Sequence, residues 1–193
     1  MSTSPPVPPF PFPREYHFPA FFTRQTNLTT HHAQLVKWSA LILSYARHHR
    51  LFRLHVSSAA ESDLFFNRRI DRRLAPADIR DVLDFMRRDG RADYLDPAAA
   101  TAAAAAAGPS SDVVLVYWRA LEEWADVVEA FVEASAQRGA VLTLYELTDG
   151  EATRGTEIHG MDSQVLLKAL NILVKRNKAQ IFGHEDSLGI KFF

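Results

Sequence analysis

Phe85-Met-Arg-Arg-Asp-Gly-Arg-Ala-Asp-Tyr94 and Leu173-Val-Lys-Arg-Asn-Lys-Ala-Gln-Ile-Phe182 are two renderings of one segment: apolar residues, a pair of bases, a polar turn, and an aromatic. Each copy follows a stripe with helical spacing. Upstream of the first, Pro76 suits a first helical position and Ile79, Val82, Leu83 and Met86 share one face. Gly90 suits the position just past the helix end. Upstream of the second, Asp162 is a helix cap and Leu166, Leu170 and Leu173 make the stripe. Downstream, alternating runs at 91–95 and 113–118, and at 179–182 and 189–193, read as two hairpins.

The repeat extends further back. Leu35, Trp38, Ile42 and Tyr45, widened by Leu41, mark an amphipathic helix with Asn27, Thr29 and Thr30 as candidate caps. It ends in Arg47-His-His-Arg50, cations that suit a helix C-terminus. A short strand is predicted over 51–56 and a short helix over Asp63-Leu-Phe-Phe-Asn-Arg-Arg-Ile70. In the second half Leu121, Trp124, Val128 and Phe131 mark a helix ending near Gly139, and 141–147 alternates as a strand. Both halves therefore read helix, strand, helix, helix, strand, strand, the second helix being faint in the C-terminal half. Three helices with a small terminal sheet is the order of a winged helix, an elaborated helix-turn-helix. The predicted class is α+β, mostly α: two tandem winged-helix domains, each of three helices with a small antiparallel sheet. The boundaries are 1–22 for a Pro/aromatic docking segment, 23–118 for the first domain and 119–193 for the second. Residues 98–111, rich in alanine and flanked by prolines, read as a flexible insert in the first hairpin.

Of 193 residues, 47% are hydrophobic and 23% charged, the composition of a folded chain rather than a disordered tail. The formal charge of −1 conceals a split. Through Asp96 there are 14 Lys and Arg against 10 Asp and Glu; beyond it there are 8 against 13. Neither half is basic enough for phosphate neutralisation to dominate binding, and the acidic second half favours a basic protein partner. With no cysteine there is no disulfide, thiol nucleophile or thiolate zinc site. No apolar run approaches the roughly 20 residues needed to cross a bilayer, and the N-terminus lacks a signal-peptide pattern, so the chain is expected to be cytosolic.

Candidate chemistry is sparse. His31-His32 and His48-His49 are adjacent pairs whose side chains point apart on a helix, so metal binding is not expected. The 8 glycines form no phosphate-binding loop, and Ser39, Ser44 and Ser163 lack a nucleophile elbow. Glu122-Glu123 and Glu185-Asp186 read as solvated faces. The expectation is a non-enzyme with no cofactor and no metal. The alternative is a winged-helix DNA-binding transcription factor, since the third helix of this fold often enters the major groove. Against it, the first candidate reading helix sets Asp78, Asp81, Asp84 and Asp89 beside Arg80, Arg87 and Arg88, and acids are repelled by phosphates. The second offers Gln164, Lys168, Asn171, Lys175 and Arg176 from an acidic domain. Arg68, Arg69, Arg72 and Arg73 are the one basic cluster.

Residues 1–22 hold seven of the ten prolines, interleaved with Phe10, Phe12, Tyr16, Phe18, Phe21 and Phe22. Proline fixes φ and removes donors, so an extended or polyproline-like segment is predicted. Six aromatics do not stay in water without cost, so the segment is buried against something: its own domain, a partner, or part against each.

Phe12-Pro-Arg-Glu-Tyr-His-Phe-Pro-Ala-Phe-Phe-Thr-Arg-Gln-Thr-Asn27, with Gln34-Leu and Trp38, resembles the family of the smallest subunit of the ESCRT-II endosomal sorting complex. Leu64-Phe-Phe-Asn67, Glu122-Glu-Trp124, Thr143-Leu-Tyr-Glu-Leu-Thr-Asp-Gly-Glu151, His159-Gly160 and Gly189-Ile-Lys-Phe-Phe193 extend the likeness over nearly the whole chain. The alanine-rich insert departs from the family. The resemblance implies two winged helices that bind protein rather than nucleic acid, in a complex with two copies of this chain, with no direct membrane insertion. Its N-terminal motifs, here Pro13-Arg-Glu-Tyr16 and Phe18-Pro-Ala-Phe-Phe22, would dock to the two larger ESCRT-II subunits through Phe12, Pro13, Tyr16, Phe18, Pro19, Phe21 and Phe22. The family's double proline is absent from both motifs. The second domain would recruit the basic N-terminal helix of an ESCRT-III subunit for multivesicular-body sorting of ubiquitinated cargo. Glu146, Asp149, Glu157 and Asp162 are the candidate contacts. The implied location is cytoplasmic, peripheral at the endosomal membrane.

Overall fold

The computed structural model describes residues 8–95, 112–183 and 188–193, so the alanine-rich insert lies outside the described residues. Contacts divide the chain into two compact units, Met1–Trp118 and Arg119–Phe193.

In the first unit, Asn27 caps helix α1 (Leu28–His49) by accepting the Thr30 N–H at 3.1 Å, satisfying one of the free amides of the first turn. Leu35, Trp38, Leu41 and Ile42 form its buried stripe. Arg47, His48 and His49 occupy the last turn, and Arg50 ends the helix in the left-handed region at φ 52°. Strand β1 (Arg53–His55) runs straight into a one-turn helix α2 (Val56–Ala59). Hairpin β2 (Phe66–Asn67) and β3 (Arg72–Arg73) follows, then α3 (Pro76–Arg88), β4 (Ala92–Tyr94) and β5 (Val113–Val116). The sheet order is β1-β5-β4, antiparallel, with Leu54 opposite Val114 and Asp93 opposite Leu115. Ile79, Val82, Leu83 and Met86 of α3 meet Leu35, Trp38 and Ile42 of α1 in one core.

The short helix expected over 63–70 is not there. That stretch is turns and the β2–β3 hairpin, and the short helix lies earlier, at α2. Leu64 and Phe65 are driven into the core, and the Leu74 N–H bonds to the Phe65 carbonyl, closing the loop on itself. Asp71 supplies the left-handed residue of the turn at φ 47°.

The second unit repeats the plan: α4 (Leu121–Ala134), β6 (Val141–Thr143), α5 (Leu144–Thr148), α6 (Ser163–Lys175), β7 (Ala179–Phe182) and β8 (Gly189–Phe192). Its sheet order is β6-β8-β7, with Leu142 and Ile181 both opposite Ile190. Trp124, Val128 and Val132 of α4 and Val165, Leu166, Ala169 and Leu173 of α6 are buried. Here the expected strand over 141–147 stops at Thr143. Thr143 accepts the Glu146 N–H at 3.2 Å, and Glu146 accepts the Thr143 N–H at 2.7 Å. This reciprocal capping box starts a helix and overrides the alternation of Leu142, Leu144 and Glu146.

Candidate docking site

Over 14–22 the N-terminal segment is not the continuous extended stretch expected, although Pro13 and Phe18 keep extended backbone angles. It forms two 3-10 turns, Arg14–His17 and Pro19–Phe22, closed by Tyr16 N–H to Pro13 O and Phe21 N–H to Phe18 O, each at 3.0 Å. Proline permits this because Pro19 opens its turn, where no N–H is required. Burying the aromatics supplies the driving force that an isolated polyproline stretch lacks.

Three of the seven predicted docking residues lie inside their own unit. Tyr16, Phe21 and Phe22 are buried. The Phe21 ring stacks on Trp38 with centroids 4.3 Å apart and planes 6° from parallel. Phe22 meets Trp38 edge-on, and Phe12, half-buried, stacks on Tyr16 at 4.0 Å. The Tyr16 hydroxyl donates to the Asp63 carbonyl. Burial, then the nearby Asp63 charge, pushes that phenol up to about 12. The demand of these rings for burial is met without a partner. Pro13 is half-buried. Phe18 and Pro19 remain outside, Phe18 with 49% of its surface exposed and the Arg14 guanidinium 5.8 Å from its ring centre.

The segment is held by side chains of other elements. Gln34 Nε2 donates to Phe21 O at 2.9 Å and to Thr23 O at 2.8 Å; Trp38 Nε1 adds a bond to Phe21 O at 3.0 Å. Asn67 Nδ2 donates to Tyr16 O at 2.8 Å. Arg24 pairs with Asp78 at 3.0 Å and with Asp81, tying the end of the segment to α3. Lys37 pairs with Glu15 at 3.0 Å and lies where two surface depressions of about 250 and 260 Å³ meet. One is lined by Phe10, Pro13 and Leu41, the other by Phe18, Ala20 and Ala33. The holding roles of Gln34 and Asn67 were not predicted. The signal for them was that both fall in the matched stretches Gln34-Leu and Leu64-Phe-Phe-Asn67.

The four carboxylates of the second unit already have partners in it. Glu146 belongs to the capping box, and the Thr143 N–H and hydroxyl hold it below the usual carboxylate range. Asp162 caps α6 by accepting the Gln164 N–H at 2.9 Å. Asp149 accepts the Thr148 hydroxyl at 2.6 Å, and Glu157 pairs with Arg119 at 2.5 Å. The large apolar side chains left exposed there are Val141, Tyr145, Phe182 and Phe193.

Of the residues weighed as nucleic-acid contacts, Arg176 is held in an ion pair within its own unit. Asp78 and Asp81 of α3 are occupied by Arg24, and Arg176 and Lys178, just past α6, pair with Asp126 and Glu129 of α4. In the basic cluster, Arg68 and Arg73 pair with Asp63 and Glu61, and both lie against the Phe66 ring. Among the described residues no group of three His, Asp or Glu is placed to hold a metal ion, and no helix is long and apolar enough to cross a membrane.

Two units, each with three α-helices and a three-stranded antiparallel sheet among the described residues, make this a tandem winged-helix protein, with an aromatic–proline segment folded onto the first. The chain belongs to the ESCRT-II complex subunit family, whose sequence profile matches residues 15–162. It is 39% identical over 184 residues to vacuolar protein-sorting-associated protein 25 of Homo sapiens, covering 95% of this chain and 98% of the relative. The corresponding protein of Dictyostelium discoideum is 32% identical over 187 residues, covering 95% and 96%. Among solved structures, subunit VPS25 of the endosomal trafficking complex ESCRT-II matches with a TM-score of 0.80 at 26% identity, covering 94% of this chain and 98% of that one. A chain of the endosomal complex ESCRT-II (VPS22/VPS25/VPS36) matches at 0.79 and 27% identity, covering 93% and 98%.

Proposed function

We propose that this chain is the non-enzymatic small subunit of an endosomal sorting complex, docking to its two larger subunits through the outer edge of the N-terminal segment. The observation that carries this reading is the Phe18–Pro19 step. Tyr16 and Phe21 to either side enter the core, whereas this aromatic–proline pair is left in water where one turn ends and the next begins, a costly placement unless something covers it. The solved relatives that share this fold over nearly their whole length are parts of such a complex, one of them with VPS22 and VPS36. In that assembly two copies of the chain are expected, cytoplasmic and held at the endosomal membrane by their partners.

The second winged helix, in this reading, recruits the basic N-terminal helix of an ESCRT-III subunit for multivesicular-body sorting of ubiquitinated cargo. The surplus of carboxylates beyond residue 96, 13 against 8 bases, supports it. Because Glu146, Asp149, Glu157 and Asp162 have internal partners, the surplus acts as a field rather than through dedicated pairs, so affinity falls as salt rises.

The test is co-purification with the larger subunits. Phe18→Ala with Pro19→Ala should lose it while the circular dichroism spectrum stays native; full retention would reject the docking edge. Tyr16→Ala with Phe21→Ala is the wrong probe, since both rings are core.

A further inference from the structure

Tyr16 O and Phe21 O stand on either side of Phe18–Pro19, and each is gripped by an amide from elsewhere in the fold. Gln34 on α1 spends both Nε2 hydrogens on Phe21 O and Thr23 O. Asn67 in β2 donates to Tyr16 O while its Oδ1 accepts the Arg69 N–H at 3.0 Å, so the amide is fixed at both ends. Both side chains are buried, Asn67 at 3% exposure and Gln34 at 9%. Buried amide N–H groups are tolerated only where they are satisfied, and the donors of these two are satisfied by the segment's carbonyls.

We infer that Gln34 and Asn67 are positioning residues for partner recognition: they hold the segment as a preformed pair of turns that presents Phe18 and Pro19 ready for docking. This rests on the docking reading above. Ordering a free peptide at an interface costs conformational entropy residue by residue, and a segment already held in its bound shape avoids that cost. The partner surface that fits is a compact apolar pocket entered by one aromatic–proline step. It is not a long groove for a polyproline helix, because the residues on both sides of the step turn back into the fold.

The experiment uses the full chain with Gln34→Met, which keeps length and removes the donors, and Asn67→Ser. Affinity for the assembled pair of larger subunits is measured by calorimetry. Amide exchange at Phe21 and Thr23 and the Trp38 indole N–H resonance are followed by NMR. Asn67→Ser should weaken binding about tenfold, the scale of one lost hydrogen bond, and Gln34→Met, which loses two, by at least as much. Exchange at Phe21 and Thr23 should quicken and the Trp38 resonance should move, while amides of 119–193 stay unchanged. A segment that loosens with affinity within about twofold of the parent overturns the inference, as does a segment that does not loosen. Should Gln34→Met fail to fold, Gln34→Asn withdraws the amide by one methylene and is read the same way. Unchanged binding by the Phe18→Ala, Pro19→Ala variant defeats the docking reading itself and is a separate result.

Discussion

Phe21→Ala should unfold the first unit far more readily than its place in a proline-rich N-terminal segment suggests. The ring is buried and stacked on Trp38 at 4.3 Å. Truncating a buried Phe costs about 3–5 kcal/mol in transfer and cavity energy. The gap can close only in part, because Gln34 and Trp38 hold the Phe21 carbonyl in place. Partial collapse and a position near the surface favour the low end, about 3 kcal/mol. With a urea dependence of about 2 kcal/mol per molar, the midpoint of the first unit's transition should fall by about 1.5 M. Phe18→Ala, at a half-exposed ring three residues earlier, should stay within about 0.5 kcal/mol, or roughly 0.25 M. The assay is urea denaturation followed by far-UV circular dichroism and tryptophan fluorescence. A midpoint for Phe21→Ala within about 0.3 M of the parent would refute the argument, since the segment would then be a strap lying on a core complete without it.

Stability should fall as pH rises from about 10 to about 12, because Tyr16 and Tyr94 keep their protons to about 12 when folded whereas an unfolded tyrosine loses its proton near 10. Above pH 10 the native state then binds more protons than the unfolded one, which gives the falling sign; Tyr16→Phe should flatten part of this slope, and an unaltered slope in urea titrations would count against the buried phenol. Gly150→Ala should destabilise the second unit by about 1–3 kcal/mol, since a Cβ there would sit 2.2 Å from the Glu146 carbonyl oxygen and displace α5. Gly189→Ala, which meets the half-exposed Phe182 ring at 2.7 Å, should cost less because that ring can swing away; thermal melts that reverse this order would contradict the packing. Asp162→Ala should cost about 1 kcal/mol by freeing the first amides of α6, and an unchanged melting temperature would show the cap to be dispensable.

Helix phase was readable wherever one stripe of apolar residues met a clear stop. The α3 and α6 stripes, the Asn27 and Asp162 caps and both hairpins follow from side-chain spacing and turn chemistry alone. Two short elements were misread for different reasons. Over 141–147 the alternation was real, but the Thr143–Glu146 capping box, also written in the residues, was the stronger local signal. Over 63–70 nothing local decides: Leu64 and Phe65 are placed by the core, and Asn67 by the Tyr16 carbonyl far upstream in the chain.

The candidate site divides in the same way. Residue order alone showed that a proline-aromatic segment precedes two copies of one winged-helix pattern, because periodicity and duplication are properties of the chain. Only the folded first unit decided which aromatics became core and which stayed outside. Phe21 and Phe22 do not differ in residue type from Phe12 and Phe18, and Tyr16 differs from them by a hydroxyl alone. Their fates separate because Trp38, Gln34 and Asn67, distant in sequence, supply a ring to stack on and amides for the carbonyls. Likewise the acidity of the second half was legible by counting and the Asp162 and Glu146 caps by their local pattern, but the pairing of Glu157 with Arg119, far back in the chain, was not, since a charge's availability depends on what folding brings within hydrogen-bonding distance.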